Sequence, residues 1–198
     1  MRKVGILGGT FDPIHIGHTE IAREALLQYG LSEVRFMTGG NPPHKKDLEI
    51  TDARVRHKMV ELAVKSDKCF IADDFEVEKT EYSYTANTLM ELVQEHPDWE
   101  IYFIIGEDSL SDLTKWYNPQ VVTDNCILLV YPRDNSSDLA SLIAERKAQF
   151  NADIRPINAS LVNVSSTEIR SWIKNNESVC GLLDEAVYEF IKEKRLYK

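Results

Sequence analysis

The stretch Gly8-Gly9-Thr10-Phe11-Asp12-Pro13-Ile14-His15-Ile16-Gly17-His18 decides the fold of this chain. It follows a short apolar run, residues 4–7, that is typical of a buried parallel strand. It precedes residues 19–27, whose apolar side chains recur at the spacing of an amphipathic helix. The sequence therefore predicts a strand, a glycine loop and a helix, which is how nucleotide-binding α/β proteins hold phosphates.

The composition of this loop suits an anion. Gly8 and Gly9 allow a ligand to approach the backbone closely, and the N–H groups of the next helix carry partial positive charge. His15 and His18 are three residues apart, so on a helical turn both imidazoles face one way and can donate to phosphate oxygens. The loop lacks both G-x-G-x-x-G and G-K-[ST], which excludes the dinucleotide fingerprint and the Walker loop.

Composition limits the class of protein. A length of 198 residues suits one domain, residues 1–198. No apolar run is long enough for a membrane span and no secretory leader is evident, so we expect a cytoplasmic protein without a membrane partner. Three scattered cysteines predict neither a metal site nor disulfides. The net charge of −9 argues against a nucleic-acid partner, although a local cluster of donors can still bind a nucleotide.

The rest of the chain alternates short apolar runs with helical patterns. This alternation predicts a doubly wound, Rossmann-like α/β fold, with a parallel sheet, helices on both faces and ligand at the carboxyl ends of the strands. Residues 73–79 are acidic and predict a solvated edge, while His57 is expected on the polar side of its helix without a role. Further strands are predicted at 33–38, 69–72, 100–105, 126–131 and 152–155, and helices at 51–64, 86–95, 138–150 and 182–194.

A second group of polar residues lies near the other end of the chain. Ser165 and Glu168 have the spacing of a capping box, which by itself explains both residues. Ser166 and Thr167 add hydroxyl donors where a helix also presents free N–H groups. Arg170 lies in the first turn, where a cation opposes the helix dipole unless an anion is close. This misfit predicts a phosphate close to Arg170 at the start of the helix.

These residues resemble a known family. His15-Ile16-Gly17-His18 resembles the H-x-G-H signature of nucleotidyltransferases, and the longer G-G-T-F-D-P-x-H-x-G-H form resembles bacterial nicotinate-nucleotide adenylyltransferases. The chain departs from the family at Glu107, where a small residue is expected, and mildly at Val164. The resemblance extends over nearly the whole chain through Pro-Pro-His-Lys at 42–45, Y-T-x-x-T at 84–88, Gly106 with Asp108, and V-S-S-T-E-I-R at 164–170.

The resemblance implies an activity and a set of site residues. The implied reaction transfers the adenylyl group of ATP to nicotinate mononucleotide, giving nicotinate adenine dinucleotide and pyrophosphate in NAD biosynthesis, with Mg2+ accompanying ATP. The implied catalytic residues are His15, His18, Lys45 and Arg170. The expected ATP-binding residues are Gly8, Gly9, Thr10, Phe11, His15, His18, Gly106, Asp108, Arg133, Ser165, Ser166, Thr167 and Arg170. The expected mononucleotide-binding residues are Asp12, His44, Lys45, Tyr84, Thr85 and Trp116.

Several alternatives stay open from sequence. Lys46 can replace Lys45, Asp108 can be a helix N-cap, Ser83 or Thr85 can cap the next helix, Trp116 can be a core residue and Arg133 a surface residue. The function can be that of another H-x-G-H adenylyltransferase, acting on nicotinamide mononucleotide or pantetheine phosphate, or that of a nucleotide sensor without catalysis. A homo-oligomer is a further open alternative.

Overall fold

The computed structural model describes residues 1–40, 50–79, 83–132, 138–158 and 164–198. Its centre is a six-stranded sheet in the order β3-β2-β1-β4-β5-β6, in which every neighbouring pair is parallel. The strands are β1 Arg2–Gly9, β2 Glu33–Thr38, β3 Phe70–Asp73, β4 Trp99–Gly106, β5 Ile127–Tyr131 and β6 Ile154–Pro156. This order confirms the predicted doubly wound α/β fold.

Helices join consecutive strands and follow the last one. They are α1 Ile16–Tyr29, α2 Ala53–Val64, α3 Thr85–Glu95, α4 Glu107–Ser111, α5 Pro119–Asn125, α6 Leu139–Phe150, α7 Ser166–Lys174 and α8 Glu185–Lys194, with a 3₁₀ turn at Asp112–Lys115. No helix in the described ranges is long and apolar enough to cross a bilayer.

Alternation along the strands sends apolar side chains to two core layers. Ile6 and Phe103 pack with α3, α4, α5 and α6 on one face of the sheet. Leu7, Phe36 and Ile104 pack with α1, α2 and α8 on the other. Because both faces of the central strands are covered, these strands read as continuous apolar runs in the sequence.

The sheet reverses its winding direction between β1 and β4, and this switch point locates the expected ligand site. Gly9 is paired with Thr38 at the ends of β1 and β2, and Gly106 is paired with Tyr131 at the ends of β4 and β5. The carboxyl ends of four parallel strands therefore lie at one edge, where the glycine loop begins.

Two sequence predictions are wrong in the β3 region. Residues 73–79 are not a uniformly solvated edge, because Asp73 is buried and pairs with Arg35 at 2.6 Å, from Oδ2 to Nε. The Thr88 hydroxyl also donates to Glu76 Oε1 at 2.7 Å, and burial raises the pKa of Glu76. His57 is not simply a polar surface residue, since its Nδ1 lies 3.1 Å from the Thr38 hydroxyl. In each case a partner distant in sequence compensates burial of the polar group.

Gly40 marks a close approach between two connections at the ligand edge. A Cβ atom at Gly40 would lie 2.2 Å from the backbone oxygen of Glu76, far inside contact distance. A Cβ at the adjacent Gly39 would meet Gly9 O at 3.5 Å, which is an ordinary contact. Of the two glycines, therefore, only Gly40 must lack a side chain for steric reasons.

We predict that Gly40→Ala lowers the free energy of unfolding by about 2–3 kcal/mol, because backbone rather than a flexible side chain must move. The matched variant Gly39→Ala should stay within about 0.5 kcal/mol of the parent. Urea denaturation of the three proteins measures both values. Equal stability of Gly40→Ala and Gly39→Ala would contradict the close approach.

Candidate active site

The glycine loop turns back on itself directly after β1. Phe11 has a φ of 50°, is buried, and places its ring so close to Gly9 that a Cβ there would lie 2.7 Å from Phe11 Cε1. The Gly39 N–H donates to Gly9 O at 2.9 Å and joins the loop to the end of β2. Gly9 is therefore needed for the close packing of this turn, while a Cβ at Gly8 would make only ordinary contact with Phe103.

His15 and His18 lie against each other at the start of α1. His15 is the N-cap residue with extended backbone rather than a residue of the first helical turn. Its N–H donates to His18 Nδ1 at 3.2 Å, and the two ring centroids are 3.8 Å apart. A Cβ at Gly17 would approach His15 Nδ1 to 3.0 Å, which explains the glycine between the histidines. The Phe11 ring meets His18 edge-on at 5.0 Å.

Burial keeps both imidazoles neutral at pH 7. It lowers the pKa of His15 to about 4, although the nearby Glu168 carboxylate acts in the opposite direction. It also lowers the pKa of His18 well below the usual value, and the adjacent His15 adds to that effect. Because His18 Nδ1 accepts a hydrogen bond, the neutral ring carries its proton on Nε2. His18 therefore presents an N–H donor.

Helix α7 is bound to the glycine loop. The predicted capping box is present, with Ser165 N–H donating to Glu168 Oε2 at 2.9 Å and Glu168 N–H donating to Ser165 Oγ at 3.2 Å. The Ser166 hydroxyl donates to Pro13 O at 2.9 Å. These contacts bring the two predicted motifs together although they are about 150 residues apart in the sequence.

Arg170 binds the same loop from the first turns of α7. Its Nη1 donates to Asp12 O at 2.7 Å and its Nη2 to the Thr167 hydroxyl at 3.3 Å. Both of these acceptors are neutral oxygens, and Arg170 forms no ion pair with any of the described residues. A guanidinium in this position can bind an anion that lies over the loop.

Asp12 is buried beneath the loop with both carboxylate oxygens engaged. The Tyr197 hydroxyl donates to Oδ1 at 2.6 Å and the Thr51 N–H donates to Oδ2 at 3.2 Å. The carboxylate predicted to bind the mononucleotide is thus bound by other parts of the chain. Tyr197 is not predicted from the sequence, because a lone tyrosine beyond the last helix gives no local signal.

A buried arginine, also missed from sequence, holds three segments around the site. Arg56 is 1% exposed and donates to Thr10 O at 2.6 Å, to Thr51 O at 2.7 Å and to Gly40 O at 3.0 Å. Burial lowers the pKa of Arg56, and the Asp12 charge opposes that effect. Within α2 this residue resembles the exposed charges on either side of it, so periodicity alone does not identify it.

Three further residues predicted to bind the mononucleotide lie at the start of α3 and after the 3₁₀ turn that follows α4. Tyr84 is the N-cap of α3 without a side-chain hydrogen bond, and Thr85 is the first helical residue, so neither Ser83 nor Thr85 is the cap. The Tyr84 ring lies 4.8 Å from that of Tyr117, an exposed aromatic that the sequence analysis did not select. Trp116 is half-buried against the core layer of α3, so it also contributes to packing.

The remaining predicted residues are less closely grouped. Gly106 is the N-cap of α4, and a Cβ there would lie 3.1 Å from the Tyr131 ring. Asp108 is the exposed second residue of α4 and so is not its N-cap. His44, Lys45, Lys46 and Arg133 lie outside the described residues.

The described side chains do not build a metal centre of their own. Within residues 1–40, 50–79, 83–132, 138–158 and 164–198, no group of three or more His, Cys, Asp or Glu side chains is arranged to hold a metal ion. The donors at the loop are imidazole, hydroxyl, guanidinium and backbone N–H, which suit phosphate oxygens.

Comparisons with known proteins agree with this geometry. The model of the cytidylyltransferase-like family matches residues 6–171. The chain is 38% identical over 201 residues to the probable nicotinate-nucleotide adenylyltransferase of Clostridium botulinum and 40% identical over 200 residues to that of Clostridium novyi, in each case over the full length of both chains.

Solved structures show the same fold at lower identity. The Plasmodium falciparum nicotinic acid mononucleotide adenylyltransferase complexed with NaAD has a TM-score of 0.82 and 18% identity. The same protein complexed with APC has a TM-score of 0.80 and 18% identity. Each match covers 100% of this chain and 98% of the other.

The lowered pKa of His15 predicts a loss of stability in mild acid. Between pH 6.5 and about 4 the unfolded chain binds the proton and the folded chain does not, so stability falls as the pH falls through this window. From pH 7.5 to 5.0 the parent should lose about 2 kcal/mol more than His15→Asn, since asparagine caps a helix without titrating. Urea unfolding at both pH values measures the difference, and parallel losses in the two proteins would contradict the burial of His15.

Proposed function

Because this chain belongs to the cytidylyltransferase-like family and, within it, to the nicotinate-nucleotide adenylyltransferases, we propose that it transfers the adenylyl group of ATP to nicotinate mononucleotide. The products are nicotinate adenine dinucleotide and pyrophosphate. The observation that carries this proposal is the attachment of α7 to the glycine loop, where Ser166 donates to Pro13 O and Arg170 donates to Asp12 O. That attachment supports one phosphate site built from both ends of the chain.

The reaction is an in-line substitution at the α-phosphorus of ATP. A phosphate oxygen of the mononucleotide forms a bond to this phosphorus, and the bond from the phosphorus to the oxygen that bridges to the β-phosphate breaks. Pyrophosphate leaves with that electron pair. Because the nucleophile is already ionised, the protein needs no general base, and its contribution is alignment and stabilisation of the developing charge.

The proposed roles follow from the donors at the loop. His18 Nε2–H and the His15 ring bind oxygens of the α- and β-phosphates, and Arg170 with the hydroxyl groups of α7 binds the departing pyrophosphate. Gly8, Gly9, Thr10 and Phe11 shape the floor of this site. Three further roles are predictions from the family resemblance. Lys45 adds a cation to the phosphate site. Gly106 and Asp108 contact the ribose, and Arg133 contacts the nucleotide.

ATP enters this scheme as its magnesium complex, and the metal is part of the substrate. Among the described residues no group of carboxylates is arranged for a resident ion. We expect Mg2+ to be held mainly by the triphosphate and by water, as is usual for this ion. When bound, the ion neutralises charge on the polyphosphate. Arg170, His18 and Ser166 still have to position the phosphates.

The acid form of the mononucleotide is the proposed second substrate. Thr85 opens α3, where a hydroxyl and backbone N–H groups suit a carboxylate, and Tyr84 and Tyr117 present aromatic rings next to it. The Trp116 indole offers a further aromatic surface on which the nicotinate ring can stack. His44 and Asp12 are the other residues predicted to contact the mononucleotide. The Asp12 carboxylate is bound by Tyr197 and Thr51, so Asp12 contributes by shaping the loop. The three thiols, which form no disulfides, support a reduced, cytoplasmic setting.

We predict that His18→Ala reduces kcat by about a hundredfold or more, because one preorganised donor to the transition state is lost. Pyrophosphate release from ATP and nicotinate mononucleotide measures this, with circular dichroism to check that the variant folds. His96→Ala, which removes an imidazole stacked on Trp99 away from the loop, is the matched control and should keep its turnover. A His18→Ala protein with parental activity would contradict the proposed site.

The same assay compares second substrates. We expect kcat/KM for nicotinate mononucleotide to exceed that for nicotinamide mononucleotide by at least about tenfold, because donors placed for a carboxylate lose a charged partner with the amide. Pantetheine phosphate should give no turnover. A preference for the amide form or for pantetheine phosphate would identify another adenylyltransferase, and ATP binding without pyrophosphate release would identify a sensor.

A further inference from the structure

Tyr197 lies outside every motif, yet its hydroxyl reaches the loop that carries the histidines. It donates to Asp12 Oδ1 at 2.6 Å across 185 positions of sequence. Its ring is partly buried against the core layer formed by α1, α2 and α8, and the hydroxyl also lies 3.9 Å from Met59 Sδ. Asp12 itself is only 5% exposed. This contact is therefore internal and is shielded from competing water.

The backbone around Tyr197 is held in an unfavourable conformation. Arg195 is the left-handed C-cap of α8, and Tyr197, two residues on, has a φ of 62°, in the left-handed region that non-glycine residues rarely adopt. Segments that follow a last helix are ordinarily held loosely. Here the Leu196 N–H donates to Ile191 O at 3.1 Å, and the Tyr197 side chain is anchored at Asp12. A strained segment that is retained in this way points to a role for the contact it makes.

Asp12 connects this contact to Arg170. The carboxylate receives Tyr197 and the Thr51 N–H, while the backbone oxygen of the same residue receives Arg170 Nη1 at 2.7 Å. The two carboxylate bonds fix the Asp12 side chain, and thereby limit rotation of the peptide whose oxygen aligns the guanidinium. We call these four groups, from Asp12, Thr51, Arg170 and Tyr197, the Asp12 junction.

We propose that Tyr197 is a positioning residue, which acts through Asp12 to hold Arg170 in line with the polyphosphate. The proposal rests on the proposed function for its catalytic consequence. Its structural part requires only that an anionic nucleotide binds over the glycine loop.

The chemistry of the junction supports a constant donor at position 197. Burial and, after it, the Asp12 carboxylate raise the pKa of Tyr197, while the Thr51 and Arg170 groups act in the opposite direction. The hydroxyl thus stays protonated over the pH range in which such an enzyme is assayed. Arg56 also faces Asp12 from α2, but its three hydrogen bonds go to the backbone oxygens of Thr10, Gly40 and Thr51.

The decisive variant is Tyr197→Phe in the full chain, which removes one oxygen and keeps the ring. We expect kcat with ATP and nicotinate mononucleotide to fall about tenfold or more, because small displacements of a positioning group strongly affect an aligned reaction. The KM for the mononucleotide should change less than twofold. Tyr188→Phe removes an exposed hydroxyl from α8 and should keep the parental kcat.

A second comparison separates positioning from stability. Ile143→Val lowers stability in the opposite core layer without touching the site, so it reports what destabilisation alone does to kcat. If Tyr197→Phe lowers the melting temperature but keeps the parental kcat, the positioning role is overturned. If Tyr197→Phe is too unstable to assay, Asp12→Asn tests the same junction, because one amide oxygen cannot replace two carboxylate acceptors. Parental kcat in a folded Asp12→Asn protein would also overturn it.

Binding of α,β-methylene ATP, measured by calorimetry, distinguishes failure of this proposal from failure of the proposed function. Tyr197→Phe should weaken binding about threefold or more in the parent and not at all in an Arg170→Ala background, because the hydroxyl acts through Arg170. If the parent releases no pyrophosphate but shows this pattern, the proposed function fails and the positioning role stands. Equal weakening in both backgrounds, or none in either, would overturn the positioning role.

Discussion

The attachment of α7 to the glycine loop is the contact on which the site depends. Arg170 and Ser166 bind two consecutive carbonyl groups, those of Asp12 and Pro13. These bonds satisfy two carbonyl oxygens of the loop, so neither remains a free acceptor at the carboxyl edge of the sheet. The loss of these free acceptors favours the anionic ligand that we propose for this edge.

Burial then decides the charge state of the two histidines. The two rings are packed against each other, and that of His18 also against Phe11, so protonation would place charge in a poorly solvated position. Among the described residues, Arg170 therefore contributes a permanent positive charge at the loop, while the neutral imidazoles contribute dipoles. Charge on the bound polyphosphate would favour the protonated rings, so substrate and site strengthen each other as negative charge develops.

A shell behind the loop holds these donors in place. The Arg56 guanidinium donates to the backbone oxygens of Thr10, Gly40 and Thr51. The Asp12 carboxylate accepts from Thr51 again and from one further segment, at Tyr197. Each buried charge is therefore fully hydrogen-bonded, as its burial requires. The loop backbone at Thr10, Gly40 and Thr51 belongs to no strand or helix, and these side-chain hydrogen bonds hold it in place beside the sheet.

The sequence by itself determined the order of the strands and of every helix except α5, the glycine loop and the α7 capping box, because each depends on local periodicity or on residues within one turn. It also pointed to Arg170, through a cation in the wrong place for the helix dipole. Only the tertiary structure decided the roles of Arg56, Glu76 and Tyr197 and the position of His15 at the helix cap. These residues contact segments up to 185 positions away in the sequence. Burial and hydrogen bonds that depend on such distant partners cannot be predicted from the residues within one helix, strand or turn.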